Sequence, residues 1–311
     1  MRLNILFGGK QGQGVNVASS ISAEMIADMG YHVFKYRDYG SLIQGGHAFD
    51  VLSVSDEPVR SHESTVDIVL ALDENTVEEH EEDLAEDATV FKAWESIDEE
   101  DRGKSYNMIV VGYLAKSLGI DEDTLEENVR KEFEDQEEKV VEEDIRVAKK
   151  GYELAGNIEE LQRQDRNLEI LSGSEGIARG AVDSGLDVYL AYPMTPATPV
   201  LHELAGMQEE ENMLTFQPEN ELAVVNAALG SAHTGAKTMV GTSGGGYDLM
   251  QEAMAMQGVS EIPLVVYLSQ RAGVGTGIPT YSAQGDLDVA VKGSHSEFPR
   301  VVIAPGDAKE T

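Results

Sequence analysis

Two successive α/β domains are what this sequence predicts, and three observations predict them. Apolar runs of strand length alternate with segments of helical period in both halves of the chain. A polar stretch, residues 156–167, separates the two alternating patterns and reads as a linker. In the second pattern the apolar run 188–191 leads into Tyr192-Pro193-Met194-Thr195-Pro196-Ala197-Thr198-Pro199. Its three prolines remove amide donors and fix φ, so the strand must end there in a rigid loop. In an open parallel sheet, that end is where ligands sit.

In chain order, residues 2–7 alternate as a strand and Gly8-Gly9-Lys10-Gln11-Gly12-Gln13-Gly14 follows as a loop. Residues 15–29 have helical spacing with Gly30 as a stop. Residues 31–36, 48–54 and 68–72 read as further strands. From Glu74 the chain turns acidic, and residues 108–118 and 121–155 read as two helices joined at Gly119. The second carries an apolar stripe of Leu125, Val129, Phe133, Val140 and Val141 beneath a strongly charged solvent face. These elements give a first domain at 1–155 and a second at 168–311. The second begins with a brief strand at 169–171, a small-residue loop and helix at 173–185, and a strand at 187–191. An alanine-rich helix at 219–235, a strand at 238–241, a methionine-rich helix at 247–258 and a strongly apolar, buried-looking strand at 263–268 follow. Residues 301–304 begin another strand, so the second domain is expected to be incomplete at its C-terminus.

With 311 residues and 41% hydrophobic content the chain can bury sizeable cores. It carries no leader pattern and no apolar run of membrane-spanning length, which predicts a cytoplasmic protein. The lack of cysteine excludes disulfides, thiolate metal sites, a cysteine nucleophile and any iron–sulfur cluster held by this chain alone. Against 23 basic residues stand 57 acidic ones, a formal charge of −34, which argues against binding nucleic acid or anionic membranes. Excess carboxylate spread over a soluble protein repels itself at low ionic strength and is screened by concentrated salt, so a salt-rich cytoplasm is expected.

Several residues carry candidate chemistry. Gly9, Gly12 and Gly14 form G-x-x-G-x-G between a strand and a helix, which differs from the dinucleotide and Walker spacings. A tight packing turn and a coenzyme-phosphate site both fit it. The loop 41–46, followed by His47, could close over such a site, although His47 alone reads as a hydrogen-bonded loop residue. Thr195 is held in the proline loop either to donate to a carboxylate or to cap the next helix. Glu221 follows Gln217-Pro218-Glu219-Asn220 at a helix start, where acidic residues usually complement the dipole. Arg271 opens the loop 271–277 after an apolar strand and suits a bidentate grip on a carboxylate. Gly241-Thr242-Ser243-Gly244-Gly245 matches G-x-S-x-G, so a serine hydrolase using Ser243 and His295 competes, as does a non-catalytic coenzyme-binding module.

At these residues the chain resembles the alpha subunit of the 2-oxoacid:ferredoxin oxidoreductases, in the form with a gamma domain fused ahead of the alpha domain. Tyr192-Pro193-Met194-Thr195-Pro196 is similar to that family's Y-P-I-T-P signature, and Gln270-Arg271 with the loop 273–277 is similar to its substrate loop. The N-terminal Gly-Lys-Gln-Gly-Gln-Gly-Val, the loop 39–46 and the turn Ser172-Gly173-Ser174-Glu175-Gly176 also resemble family positions. The resemblance implies a gamma domain at 1–155 and a pyrimidine-binding α/β domain of thiamine-diphosphate enzymes at 168–311. It implies that Thr195 and Arg271 hold the carboxylate of a 2-oxoacid, that Glu221 faces the aminopyrimidine of thiamine diphosphate, and that Tyr192 and Pro193 border the cofactor. The activity implied is oxidative decarboxylation of 2-oxoglutarate or a broad range of 2-oxoacids, with pyruvate as the alternative, to acyl-CoA and CO₂. Electrons would pass to ferredoxin.

Without cysteine, and without Gly-Asp-Gly followed by Asn, the chain would depend on a beta subunit for the [4Fe-4S] cluster and the diphosphate's Mg²⁺, in an αβ or (αβ)₂ assembly. Gly273-Val274-Gly275-Thr276-Gly277 replaces the commoner G-P-S-T-G, and Ser243-Gly244-Gly245-Gly246 replaces S-G-P-G. Each loop loses a proline and gains freedom. Family alpha subunits are longer, which implies that this chain is a fragment.

Overall fold

The computed structural model describes residues 1–40, 45–97, 103–295 and 297–311. The chain divides into two compact units, Met1–Ile170 and Leu171–Thr311.

The first unit contains β1 (Arg2–Lys10), α1 (Val15–Asp28), β2 (His32–Tyr39), β3 (His47–Ser55), β4 (Val66–Ala71), α2 (Glu74–Glu79), β5 (Leu84–Lys92) and α3 (Ala93–Ser96). Three longer helices follow: α4 (Met108–Ser117), α5 (Glu122–Glu132) and α6 (Glu138–Leu154). Its sheet runs β2-β3-β1-β4-β5 and is mixed. β3 pairs antiparallel with β1 and β2, while β4 pairs parallel with β1 and β5. Ile5, Phe7, Leu52, Ile68 and Leu70 from the sheet meet Met25 and Ile26 of α1 and Ile109, Val110 and Leu114 of α4 in one core. The glycines Gly112 and Gly151 let α4 and α6 touch, because a Cβ on either would strike the backbone carbonyl of Ala148 or Ile109.

In this unit the sequence expectation needs three corrections. Gly8, Gly9 and Lys10 belong to β1 and not to the loop, because the ladder to β3 continues out to the pair Lys10 and His47. The helix expected over 121–155 is two helices, capped at Phe133 and restarted after Glu137. The turn between them lets Arg130 of α5 reach Glu138 and Glu142 of α6. β5 and α2 lie in the acidic stretch after Glu74, where charge masked the short apolar run Val90-Phe91.

The second unit contains α7 (Gly173–Asp183), β6 (Val188–Ala191), α8 (Thr198–Met207), β7 (Leu214–Phe216), α9 (Glu221–His233) and β8 (Thr238–Ser243). α10 (Gly244–Leu249), α11 (Gln251–Ser260), β9 (Val265–Ser269) and α12 (Leu287–Lys292) complete it. Its four strands are all parallel, in the order β7-β6-β8-β9. Leu190, Val224, Val225, Val240 and Met254 pack one side of the sheet, and Ala178, Tyr189, Val200 and Leu204 form a second cluster.

Residues 169–171 and 301–304 are not strands, and the methionine-rich helix is split at Met250 and begins at Gly244. β9 is an edge strand, not a buried one: Val265 is 61% exposed. Apolar composition suits either position when a partner covers the edge, so hydropathy alone could not separate them.

Candidate functional site

Parallel pairing sets the site in the second unit. Ala191 of β6 lies beside Gly241 of β8, and Ser243 of β8 lies beside Ser269 of β9. The chain therefore leaves β6 into the proline loop, β8 into the glycine turn and β9 into Gln270-Arg271 at one carboxyl edge of the sheet, where side chains at strand ends converge on a ligand. The first contact is direct: the Ser243 hydroxyl donates to Met194 Sδ at 2.6 Å.

Gly246 fixes the second. A Cβ there would lie 2.9 Å from Glu221 Cγ and 3.1 Å from Met194 Cε, and would strike the Thr242 hydroxyl. Only hydrogen fits, so the glycine turn, the proline loop and Glu221 close on one another. Glu221 is 5% exposed in the first turn of α9. The capping role falls to Asn220, whose Oδ1 accepts from Ala223 N at 2.9 Å, which leaves the Glu221 carboxylate out of it. Thr195 is half-buried and does not cap α8: the N-cap is Ala197, with no side-chain bond. Tyr192 and Pro193 are exposed on the same loop.

Arg271 is half-buried at the third strand end. A Cβ on Gly245 would sit 3.0 Å from Val274 Cγ1 of the loop that Arg271 opens. Asp286, just before α12, lays its carboxylate over the Cα of Gly244. Burial raises the Asp286 pKa, Asp248 adds to the rise, and Arg271 opposes it. Glu221 and Arg271 are thus joined through adjacent glycines of one turn. Met194 and Gly246 stood out in the sequence only as members of the proline-loop and glycine-loop motifs, and Asp286 not at all. The run of three glycines was the one signal, since glycine after a strand marks close approach.

The hydrolase reading does not survive this geometry. Ser243 is fully buried with its hydroxyl turned to a thioether, and His295 is exposed.

In the first unit Gly12 (φ 92°) and Gly14 (φ 77°) take left-handed conformations at the start of α1. They line a cavity of about 600 Å³ together with Trp94, Lys104, Tyr106 and Asn107. Gly9 is apart from them in role: its Cα is covered by Leu72 and by Gln13, whose Oε1 accepts from Lys10 N at 2.6 Å. Asp144 also lines the cavity, and burial pushes its carboxyl up. His47 Nε2 lies 3.1 Å from His80 Nε2, and His80 Nδ1 donates to Asp83 at 2.8 Å. Burial first, then His80, lowers the His47 pKa, and His47 is hydrogen-bonded as expected but stands in β3 and not in the loop. Residues 41–44 of the loop expected to close over the glycine turn lie outside the described residues.

Comparison with known proteins gives this geometry a class. Residues 179–311 match the family described as "Pyruvate flavodoxin/ferredoxin oxidoreductase, thiamine diP-bdg", and residues 4–96 and 92–154 match "Pyruvate ferredoxin/flavodoxin oxidoreductase". The second unit is a thiamine-diphosphate-binding domain. The chain belongs to the 2-oxoacid:ferredoxin oxidoreductase family, among its alpha subunits.

One relative, a 2-oxoacid:ferredoxin oxidoreductase subunit alpha of Sulfolobus sp, is 28% identical over 100% of this chain and 61% of its own length. A 2-oxoglutarate synthase subunit KorA of Archaeoglobus fulgidus is 38% identical over 46% of this chain and 41% of its own. Among solved structures, the 2-oxoglutarate:ferredoxin oxidoreductase from Magnetococcus marinus, with 2-oxoglutarate, coenzyme A and succinyl-CoA bound, superposes with a TM-score of 0.88. It is 27% identical, over 99% of this chain and 59% of that one. The chain therefore spans about three fifths of the length of such relatives.

Proposed function

We propose that this chain is the gamma and alpha portion of a coenzyme A-acylating 2-oxoacid:ferredoxin oxidoreductase, acting on 2-oxoglutarate or a broad range of 2-oxoacids. The observation that carries the reading is the convergence of the proline loop, Glu221 and the Arg271 loop on one glycine turn at the carboxyl edge of a parallel sheet. The two relatives named as 2-oxoglutarate enzymes favour that substrate over pyruvate.

The residues present fit thiamine diphosphate. Gly246 lets the glycine turn pack directly against Glu221, and Glu221 offers a buried carboxylate that the helix cap does not use. Glu221 would hold a proton at the cofactor's pyrimidine ring, with Tyr192 and Pro193 bordering it. Thiamine diphosphate, when bound, supplies the electron sink that decarboxylation of a 2-oxoacid requires. Arg271 would grip the substrate carboxylate with two parallel N–H donors, and the Thr195 hydroxyl would donate a third. Held at three points, the keto carbon is oriented before reaction.

In the first unit, Gly12 and Gly14 would approach a coenzyme phosphate, while Trp94 and Tyr106 offer flat faces in the same cavity. Gly9 would serve by letting β1 pack closely.

A beta subunit would supply the [4Fe-4S] cluster and the Mg²⁺ site, in an αβ or (αβ)₂ assembly that passes electrons to ferredoxin. The exposed apolar residues Leu214, Phe216, Leu222, Val265 and Val274 of the second unit support burial against further protein. Among the described residues no helix is long and apolar enough to cross a membrane, and a salt-rich cytoplasm fits the charge of −34. The test is 2-oxoacid-dependent viologen reduction by the chain co-purified with its beta partner. Arg271→Ala should lower kcat/KM on the order of 10²-fold, since it removes a charge-assisted bidentate contact. Full activity in that variant would sink the carboxylate assignment, and competition between 2-oxoglutarate and pyruvate reads the substrate choice.

A further inference from the structure

Asp286 has a feature that the proposed chemistry leaves unused. Its Oδ2 is sealed from solvent and has no hydrogen-bond partner. A buried carboxylate oxygen without a donor is costly, so such groups mark a place where a donor arrives. The carboxylate is held there by shape: with a side chain at residue 244 its Cγ and Oδ2 would lie 2.6 and 2.7 Å from the new Cβ. Gly244 directly follows Ser243, whose hydroxyl bonds the proline loop, and Gly245 faces Val274 of the loop that Arg271 opens. The charged groups facing Asp286 are Asp248 on α10 and Arg271 after β9. No ion pair within 4.0 Å joins Asp286 to Arg271 in this structure. Of the two, only Arg271 can donate.

Resting on the substrate reading above, we infer that Asp286 is the positioning residue for Arg271: the guanidinium turns one edge to Asp286 Oδ2 and the other to the carboxylate of the 2-oxoacid. A guanidinium has five donors in a planar fork, enough for both carboxylates at once. Arg271 starts a loop with three glycines and no proline before Pro279, so its backbone does little to hold the fork in place. Asp286 supplies that restraint from a different part of the chain.

Ionisation follows from the same contacts. Burial and Asp248 raise the Asp286 pKa, so the proton is retained to higher pH than an ordinary aspartate retains it. Protonated Asp286 has no charge with which to hold Arg271, and substrate capture should weaken as pH falls through its pKa.

The experiment uses the complete complex with its beta partner and follows viologen reduction against 2-oxoglutarate concentration and pH. Asp286→Asn should raise KM about tenfold, the cost of losing one charge-assisted contact to the gripping group, with kcat nearly unchanged. It should also remove the acid limb that Asp286 gives kcat/KM, and it should leave heat stability unchanged or higher, because the lost oxygen had no partner. Gly244→Ala keeps the carboxylate but pushes it off its seat, and should reproduce the KM rise. A wild-type complex inactive with every 2-oxoacid overturns the functional reading along with this one. An active wild type, with KM and pH profile unchanged in both variants, overturns the role of Asp286 alone. Loss of heat stability with kcat and KM falling together would show a structural role and also overturn it.

Discussion

The two units bury their apolar side chains to different degrees. In the first, the large hydrophobics left exposed among the described residues are Met1, Val140, Leu154 and Ile158, scattered singly. In the second, exposure extends from Leu214 and Phe216 of β7 through Leu249, Met256 and Val259 of the helices to Val265 of β9, and reaches 80% at Val274 and 87% at Val301. Both units have open α/β sheets, yet among the described residues one covers nearly all its large apolar side chains and the other leaves those of β7, β9 and several helix faces exposed. Concentrated apolar exposure marks surfaces that other protein covers. The open unit is also the one whose sheet edge gathers Glu221, Thr195 and Arg271. Exposed apolar surface and the proposed substrate site thus fall in the same unit, whereas in the first unit Lys35 and Ser19 bond the buried Asp50, and His47 pairs with His80.

The sharpest way to break this comparison is at Glu221. If the open unit carries the chemistry, Glu221→Gln should lower kcat on the order of 10³-fold, within the range for a lost general acid–base group. Melting of the isolated chain should hardly move, since Asn220 and not Glu221 caps α9. Viologen reduction by the complex, with a melt of the same variant, checks both halves of the expectation. Retained turnover would move the chemistry elsewhere and remove the functional contrast.

How much of this was legible in the sequence differs between the units as well. β1, α1, β3 and β4 follow from period and glycine stops, because a self-contained core makes burial follow hydropathy. The same logic misread β9, whose apolar run sits at an open edge, and residues 301–304, which are apolar and exposed. For the site, residue type and position at strand ends pointed to Thr195 and Arg271, while the role of Glu221, at a helix start, came only from the family resemblance. Contacts between distant segments did not show: Met194 with Ser243, Glu221 with Gly246, and Asp286 with Gly244 span gaps of tens of residues that no local spacing encodes. The break at Phe133 was hidden for another reason. Its acidic run keeps helical spacing on both sides of the turn, and only the fold shows that Arg130 needs the chain to double back.

A paired substitution sharpens the packing contrast. Leu70 in β4 is fully buried in the core of the first unit, and Leu70→Ala should cost about 3 kcal/mol through lost burial and the cavity left behind. Phe216 in β7 is 51% exposed, and Phe216→Ser should change chain stability by less than about 0.5 kcal/mol. Denaturant melts of the isolated chain measure both. The second variant should instead weaken co-purification with the beta partner. Equal losses of chain stability would mean that the second unit is as self-contained as the first.

The smallest effect concerns how the first unit handles its acidity. Arg130 bonds Glu126 of its own helix at 3.0 Å and Glu138 and Glu142 of α6 at 3.0 and 2.6 Å, and so clips α5 to α6 through two carboxylates that would otherwise repel. All four side chains are open to solvent, so the attraction is screened and modest. Arg130→Gln should lower the Tm of the full chain by about 1–2 °C in dilute buffer, the size expected for an exposed network. Molar potassium chloride acts on two terms of opposite sign. It screens the repulsion of an excess charge of −34, which raises Tm for wild type and variant alike. It also screens the Arg130 pairs, which lowers only the wild type's advantage. The two melting curves should therefore climb together and converge as salt is added. A gap that stays constant would show that Arg130 acts by packing its stem between α5 and α6, and one that widens would mean that its charge is shielded from solvent in a way the exposed geometry does not allow.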